Sequence, residues 1–301
     1  MYSMIQLLRP KHWFKNVFVL FPLLFSGALW TQYAWTAATL SALVTACFCS
    51  WSSAVYVLND VCDVESDRQH PRKCHRPIAS GKVSILTAIV ICLLLALLPF
   101  AVLTGLYFKD EAFQKPVLYF TAVGLAYLVN NVIYDLLFRK LILLDVVSIA
   151  FGFVLRILGG CAILLVVPSH WILISGFTMA LFLGFGKRRM ECSTAGIDTQ
   201  YRSSLQQYSV KMLNALLGIT AACSLLTYTL YTISPDTVKL HNTTWLICTV
   251  PFVFFGIYRY FKDSISGRYD GAVEAIISDK QLIVCVLLWL ATVIGIFIYV
   301  K

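Results

Sequence analysis

The chain has 301 residues, of which 59% are hydrophobic and 13% are charged, and its formal net charge is +9. Its mean hydropathy of +0.78 excludes an ordinary soluble domain, whose core does not need this much Leu, Ile, Val and Phe. The composition is that of an all-α, polytopic membrane protein.

Nine apolar stretches are each long enough to cross a hydrocarbon layer of roughly 30 Å. The sequence therefore predicts a nine-transmembrane-helix bundle that forms a single domain over residues 1–301. Pro22 interrupts the first stretch. The stretches lie near residues 16–32, 38–58, 84–106, 117–137, 143–166, 169–186, 209–232, 243–261 and 281–300.

The charged residues between these stretches are unevenly distributed. With the N-terminus in the cytosol, 19 of the 24 Lys and Arg residues fall on the cytosolic side, as the positive-inside rule requires. Of the 15 Asp and Glu residues, 12 fall on the same side, which topology alone does not demand. We therefore expect a membrane protein whose cytosolic face is the working face.

The first cytosolic loop after a long apolar stretch reads NDVCDVESDRQHPRKCHRPIASG, residues 59–81. Asn59, Asp63 and Asp67 are four residues apart and would share one face of a helix, with Asp60 beside them. Three or four hard oxygen ligands would then converge. Such ligands suit Mg²⁺, which proteins hold with one or two carboxylates together with substrate phosphates.

Basic residues follow the acids directly. Lys73 and Arg76 would bind the outer oxygens of a phosphate group, and His70 is a further candidate. Pro71 and Pro77 would end the helix and start a loop. The alternative is a cytosolic loop that is basic for topological reasons only, but that reading does not explain acids at helical spacing.

The fifth apolar stretch contains two charged residues, Asp145 and Arg156, which are eleven positions apart. Eleven residues are close to three helical turns, so both side chains would point the same way, about 16 Å apart along the axis. A guanidinium at that depth is expected to bind an anion or a carboxylate. A structural pair between helices is the alternative.

A third charged segment, GKRRMEC at residues 186–192, follows the sixth stretch. Lys187 and Glu191 would share a helix face. With Arg188, Arg189 and Arg202 they would form a phosphate-binding wall opposite the acidic loop. The alternative is a membrane anchor with one ion pair. In the last loop, Asp279 is expected to cap the final helix.

At residues 59–81 the sequence resembles the first aspartate motif of the UbiA-type intramembrane prenyltransferases. In that superfamily the motif ends the second helix of a nine-helix bundle and holds Mg²⁺ against a diphosphate. Most members carry a second aspartate-rich motif after the sixth helix, where this chain has GKRRMEC.

In this respect the sequence resembles the branch of the superfamily that makes decaprenylphosphoryl-5-phosphoribose. Three further segments resemble the same branch: LRPKHWFKNVFVLFPLLFSG at 8–27, LLDVVSIAFGFVLRILGG at 143–160 and the SDKQL before the last helix. The resemblance implies transfer of 5-phosphoribose from phosphoribosyl pyrophosphate to a polyprenyl phosphate in the membrane. No nucleic-acid partner is expected.

The expected site follows from these loops together. Asn59, Asp60, Asp63 and Asp67 are the expected magnesium ligands and catalytic residues. The expected substrate-binding residues are Lys15, His70, Lys73, Arg76, Lys140, Asp145, Arg156, Lys187, Arg188, Glu191 and Arg202.

Two other functions fit parts of the pattern. An ordinary prenyltransferase would move a prenyl group from a prenyl diphosphate to an aromatic acceptor and would use the same first acidic motif. Cations in GKRRMEC favour the phosphoribosyl donor, because a sugar 5-phosphate needs cations rather than a second metal. A transporter or lipid-binding membrane protein is disfavoured, since the charges lie at one face rather than along a midplane pathway.

Overall fold

The computed structural model describes residues 2–71, 73–193, 205, 207–269 and 272–300. Short 3-10 helices at Pro10–Leu20, Ala28–Trp30, Lys73–His75, Phe138–Lys140 and Trp245–Thr249 connect its α-helices. The α-helices, in chain order, are α1 Tyr2–Leu8, α2 Phe21–Phe25, α3 Ala34–Cys62, α4 Val64–Gln69, α5 Ile85–Lys109, α6 Glu111–Leu136, α7 Leu144–Leu164, α8 His170–Ser193, α9 Val210–Ile233, α10 Pro235–His241, α11 Val250–Ser266, α12 Ala272–Ser278 and α13 Lys280–Tyr299.

Among the described residues, seven helices are long and apolar enough to span a membrane: α3, α5, α6, α7, α8, α9 and α13. An eighth span is obtained if Pro235–His241 and Trp245–Ser266, which are bent by 102° relative to each other, count as one. The all-α, multi-pass prediction is confirmed. The count of nine helices is not.

The first predicted span, residues 16–32, contains no long helix in the structure. It consists instead of the end of a 3-10 helix, the five-residue α2 and a second 3-10 turn. Pro22 lies in the first turn of α2, and Gly27 turns the chain with a left-handed φ of 77°. Proline removes a helical N–H and glycine permits the positive φ, so the helix cannot continue.

The chain divides into two compact units, and the first comprises Met1–Leu137 and Leu155–Val167. Its core contains Phe48, Trp51, Phe120 and Tyr127. Trp51 stacks on Phe120 with ring centroids 5.6 Å apart. Gly124 makes this possible, because a Cβ at that position would lie 2.1 Å from the Trp51 ring.

Helix α5 contains Pro99, which cannot donate the N–H that would normally bind the Leu95 carbonyl. The Ser50 hydroxyl of α3 donates to that carbonyl at 2.7 Å. Next to it, the Trp51 indole donates to the Ala96 carbonyl at 3.2 Å. Backbone groups in lipid must find such partners, so these two bonds fix α3 against α5 at the proline.

The second unit comprises Phe138–Val154 and Pro168–Lys301. Helices α8, α9 and α11 pack around a core that includes Phe182, Leu213, Leu217 and Tyr260. The Tyr260 hydroxyl donates to the Leu183 carbonyl at 2.8 Å. These contacts hold the C-terminal half of α8, which carries the GKRRMEC segment.

Candidate functional site

The acidic motif lies where α3 ends, in the first unit. Helix α3 stops at Cys62, and Asp63 connects it to α4 with φ −95° and ψ 6°. The Asp63 N–H still donates to the Asn59 carbonyl at 2.9 Å, and the Asp67 N–H to the Asp63 carbonyl at 2.7 Å. The expected single helical face is therefore replaced by two helices that meet at Asp63.

Arg76 lies between the two buried carboxylates of the motif. Asp60 and Asp67 are each 3% exposed. Arg76 Nη1 donates to Asp60 Oδ1 at 3.0 Å and to Asp67 Oδ2 at 2.7 Å. Arg9 also donates to Asp60. One positively charged nitrogen thus lies between two carboxylates from different helices.

These residues fit a magnesium ion that is shared with a substrate. In the described part of the chain, no three His, Cys, Asp or Glu side chains are close enough to hold a metal by themselves. The expected set of Asn59, Asp60, Asp63 and Asp67 stays a prediction, and Asp60 and Asp67 are the two members that share a cation in this structure. Two carboxylates on one cation, completed by phosphate oxygens, is the usual binding mode of Mg²⁺.

His70 and Lys73 lie in the turn after α4. His70 is 2% exposed, and its Nδ1 accepts the Lys73 backbone N–H at 3.4 Å. The imidazole therefore supports the turn from inside. Lys73 starts the following 3-10 helix and is half-buried.

A polar network lies deeper in the first unit, around Arg156. This side chain is 6% exposed. Its Nε donates to Asn16 Oδ1 at 2.7 Å, and its Nη2 donates to the Tyr127 hydroxyl at 2.9 Å. Ser52 is a third partner, at 3.4 Å. Neutral oxygen atoms accept all three of these bonds.

Lys15 adds a second cation to this network. Its Nζ donates to the Tyr56 hydroxyl at 3.4 Å. Burial, followed by the positive charge of Arg156, lowers the pKa of Lys15 from 10.5 to about 8. A lysine beside a buried guanidinium is a suitable environment for a phosphate anion.

The second unit holds a buried ion network built on Arg188, which is 1% exposed. Its Nε donates to Asp145 Oδ2 at 2.7 Å, and its Nη1 donates to Glu191 Oε2 at 2.6 Å. Lys187, 44% exposed, reaches Glu191 at 3.6 Å. The expected Lys187–Glu191 pair is present. Arg188, which was expected to bind phosphate, binds two carboxylates in this structure.

Tyr208 connects the same network to the chain before α7. Its hydroxyl donates to Asp145 Oδ1 at 2.8 Å and accepts the Leu143 N–H at 2.8 Å. Leu143 has a positive φ of 66°. Burial and the neighbouring Asp145 charge raise the pKa of Tyr208, so the phenol remains a donor. Asp145 is thus bound from two sides, by Arg188 and Tyr208.

Lys140 and Arg202 are the remaining expected residues. Lys140 is exposed in the 3-10 turn Phe138–Lys140, and Arg202 lies outside the described residues. Sequence reasoning missed Arg9, Asn16, Tyr127 and Tyr208 as parts of the two units' polar networks. It also missed Asp135, whose carboxylate lies against the Asn59 side-chain amide. The signal for Asn16 and Asp135 was a polar side chain at the edge of an apolar stretch.

The chain is similar to known proteins over nearly its whole length. Residues 19–271 match the model of the UbiA prenyltransferase family. Decaprenyl-phosphate phosphoribosyltransferase from Mycolicibacterium smegmatis is 30% identical over 99% of this chain and 92% of its own length. The protein of that name from Corynebacterium glutamicum is 30% identical over 97% of this chain and 86% of its own length.

The fold is also shared with solved structures. A UbiA homologue from Archaeoglobus fulgidus, bound to GPP and Mg²⁺, superposes with a TM-score of 0.72, at 16% identity, over 98% of this chain and 99% of the other. A second structure of that homologue, bound to DMAPP and Mg²⁺, gives a TM-score of 0.70 at 16% identity, over 97% of this chain and 98% of the other. From the family match and the two near full-length relatives, the chain belongs to the UbiA prenyltransferase family.

Proposed function

We propose that the protein transfers 5-phosphoribose from phosphoribosyl pyrophosphate to a polyprenyl phosphate and releases pyrophosphate, with Mg²⁺ as cofactor. Relatives named decaprenyl-phosphate phosphoribosyltransferase, similar over nearly the whole chain, support this reaction. The observation that carries it in the structure is the pair of buried carboxylates, Asp60 and Asp67, that share one cation beside further basic groups.

The residues that would hold the metal are Asp60 and Asp67, with Asn59 and Asp63 beside them. When bound, Mg²⁺ neutralises the charge that develops on a departing diphosphate. Arg76 and Lys73 supply positive charge at the same place and would bind phosphate oxygens. The negative cluster and the adjacent bases together suit a metal-bound diphosphate.

The acceptor requires little activation. A polyprenyl phosphate is already an anion, so its oxygen attacks the anomeric carbon without a strong general base, and the bond from that carbon to pyrophosphate breaks. Lys15 and Arg156 provide buried positive charge for a phosphate group of one substrate. Positioning and charge stabilisation then supply most of the rate enhancement.

We place the reaction at the cytosolic face of the inner membrane, with the N-terminus in the cytosol. The asymmetry of the basic residues supports this orientation. Phosphoribosyl pyrophosphate is water-soluble and the acceptor is a lipid, so a site at the edge of the membrane serves both.

The test of the proposed function compares donors and variants. Purified protein is incubated with Mg²⁺ and polyprenyl phosphate plus phosphoribosyl pyrophosphate, or with a prenyl diphosphate and an aromatic acceptor. We expect pyrophosphate release with the first donor. Turnover with the prenyl diphosphate alone would assign an ordinary prenyltransferase instead.

Asp67→Asn is the matching variant, expected to lower kcat by about 10²-fold or more because it removes a charge from the metal site. Glu65→Gln is its control, because Glu65 is exposed on the same helix and its described ion pair is with exposed Arg68. Equal activity of the two variants would contradict the site.

A further inference from the structure

The Asn59 side chain contacts Asp135, a residue outside the acidic motif. Its side-chain amide, on the last turn of α3, lies against the carboxylate of Asp135, on the last turn of α6, and against the Val55 carbonyl. Both neighbours are hydrogen-bond acceptors. The amide NH₂ must therefore face them, at 3.1 Å from the Val55 oxygen and 3.2 Å from Asp135 Oδ1, with Asp135 Oδ2 closer still.

This orientation decides which atom Asn59 offers to the rest of the motif. An amide presents either an oxygen or an NH₂ group, and only the oxygen is a ligand for Mg²⁺. With the NH₂ bound to Asp135 and Val55, the carbonyl oxygen points away from both. A flipped amide would place NH₂ hydrogens where a cation needs an electron pair.

We propose that Asp135 is a positioning residue, which fixes the Asn59 amide so that its oxygen is available to the metal. The role rests on the magnesium site of the proposed function and extends it to α6. Groups that orient metal ligands in this way are known to tune metal affinity. Asp135 is half-buried, and its carboxylate adds negative charge next to Asn59.

Two other roles for Asp135 make different predictions. A purely structural contact between α3 and α6 would affect thermal stability but leave metal affinity unchanged. A general contribution of negative charge would make Asp135→Asn as weak as Asp135→Ala, because both variants remove the charge. Glu111, exposed in the first turn of the same helix, provides a control for substitution elsewhere on α6.

The experiment measures Mn²⁺ binding to the purified full-length protein in detergent, by electron paramagnetic resonance, with inorganic pyrophosphate present. Thermal unfolding is recorded in parallel. We expect Asp135→Ala to weaken Mn²⁺ binding by about tenfold or more, and Glu111→Ala to leave it unchanged. Asp135→Asn retains an acceptor oxygen and is expected to lie between wild type and Asp135→Ala.

An exchange variant separates orientation from loss of a contact. In the double variant Asn59→Asp with Asp135→Asn, the new NH₂ on α6 can donate to one carboxylate oxygen at position 59, which leaves the other oxygen for the metal. Net charge is unchanged. We expect Mn²⁺ affinity within about threefold of wild type, against the roughly tenfold loss in Asp135→Ala.

The outcomes are distinguishable. The positioning role is overturned if a folded Asp135→Ala variant binds Mn²⁺ with wild-type affinity. It is also overturned if the exchange variant binds Mn²⁺ as weakly as Asp135→Ala. Both results would leave the magnesium site intact. A wild-type protein that binds no Mn²⁺ with pyrophosphate would overturn the magnesium site itself, and the role of Asp135 with it.

Discussion

Replacing Arg188 by alanine should destabilise the protein more than any change to its exposed neighbour Lys187. Arg188 is 1% exposed, and Asp145, to which it donates at 2.7 Å, is 0% exposed. The substitution removes a cation from a fully buried carboxylate. Breaking a buried ion pair in this way costs about 3–5 kcal/mol of unfolding free energy.

Lys187→Ala is the matched control on the adjacent residue. Its 3.6 Å contact with Glu191 is made by a side chain that is 44% exposed, and such pairs contribute about 0–1 kcal/mol. A neutral double variant, Asp145→Asn with Arg188→Gln, provides a second comparison. Because it removes both charges and keeps hydrogen-bonding groups, it should be more stable than Arg188→Ala alone.

The assay is unfolding of the purified variants at fixed detergent concentration, followed by a thiol-reactive dye that reports buried cysteines. Cys47, Cys161 and Cys285 are buried and report on both units. We expect the order wild type, Lys187→Ala, double variant, Arg188→Ala from most to least stable. If Arg188→Ala is as stable as Lys187→Ala and only the KM for phosphoribosyl pyrophosphate rises, Arg188 is a substrate ligand and the structural reasoning is refuted.

The other predictions concern Lys15 and Ser50. Because the pKa of Lys15 is about 8, this side chain loses its charge as pH increases through 8, and the KM of the substrate that it binds should rise. The Lys15→Met variant should not show this pH dependence. Identical pH profiles of KM in wild type and Lys15→Met would contradict the prediction. The pKa is lowered on folding, so the unfolded state binds more protons between pH 8 and 10.5 and the stability penalty of Lys15 is largest below pH 8. The extra stability of Lys15→Met over wild type, measured by thermal unfolding, should therefore shrink as pH rises. Ser50→Ala leaves the Leu95 carbonyl without the 2.7 Å hydroxyl bond and should cost about 1–3 kcal/mol of unfolding free energy, whereas Ser50→Thr should cost less.

Local patterns in the sequence predicted much of this structure. Seven of the nine predicted spans correspond to helices long and apolar enough to cross a membrane, since the cost of placing polar backbone in lipid leaves few alternatives. The four-residue spacing predicted the Lys187–Glu191 pair, because both residues lie on one helix. Asp279 caps the final helix as expected, accepting the Gln281 N–H at 2.8 Å.

Contacts between distant segments were not predictable in the same way. Nothing in the sequence pairs Arg156 with Asn16, or Asn59 with Asp135, because these contacts depend on how helices pack. The break at Asp63 was missed because the residues around it have no proline or glycine. The buried position of Arg188 was missed for a related reason, since a run of basic residues at the end of a span usually faces water.

The most direct measurement of the proposed reaction uses phosphoribosyl pyrophosphate that carries ¹⁴C in the ribose and ³²P in the β-phosphate. The labelled donor is incubated with the protein, Mg²⁺ and polyprenyl phosphate, and the lipid is then extracted. We predict that ¹⁴C enters the lipid fraction while ³²P stays in water as pyrophosphate, in equal amounts, and that Asp67→Asn abolishes both. Recovery of ³²P in the lipid, or no ¹⁴C in the lipid under conditions where a prenyl diphosphate is consumed, would contradict phosphoribosyl transfer.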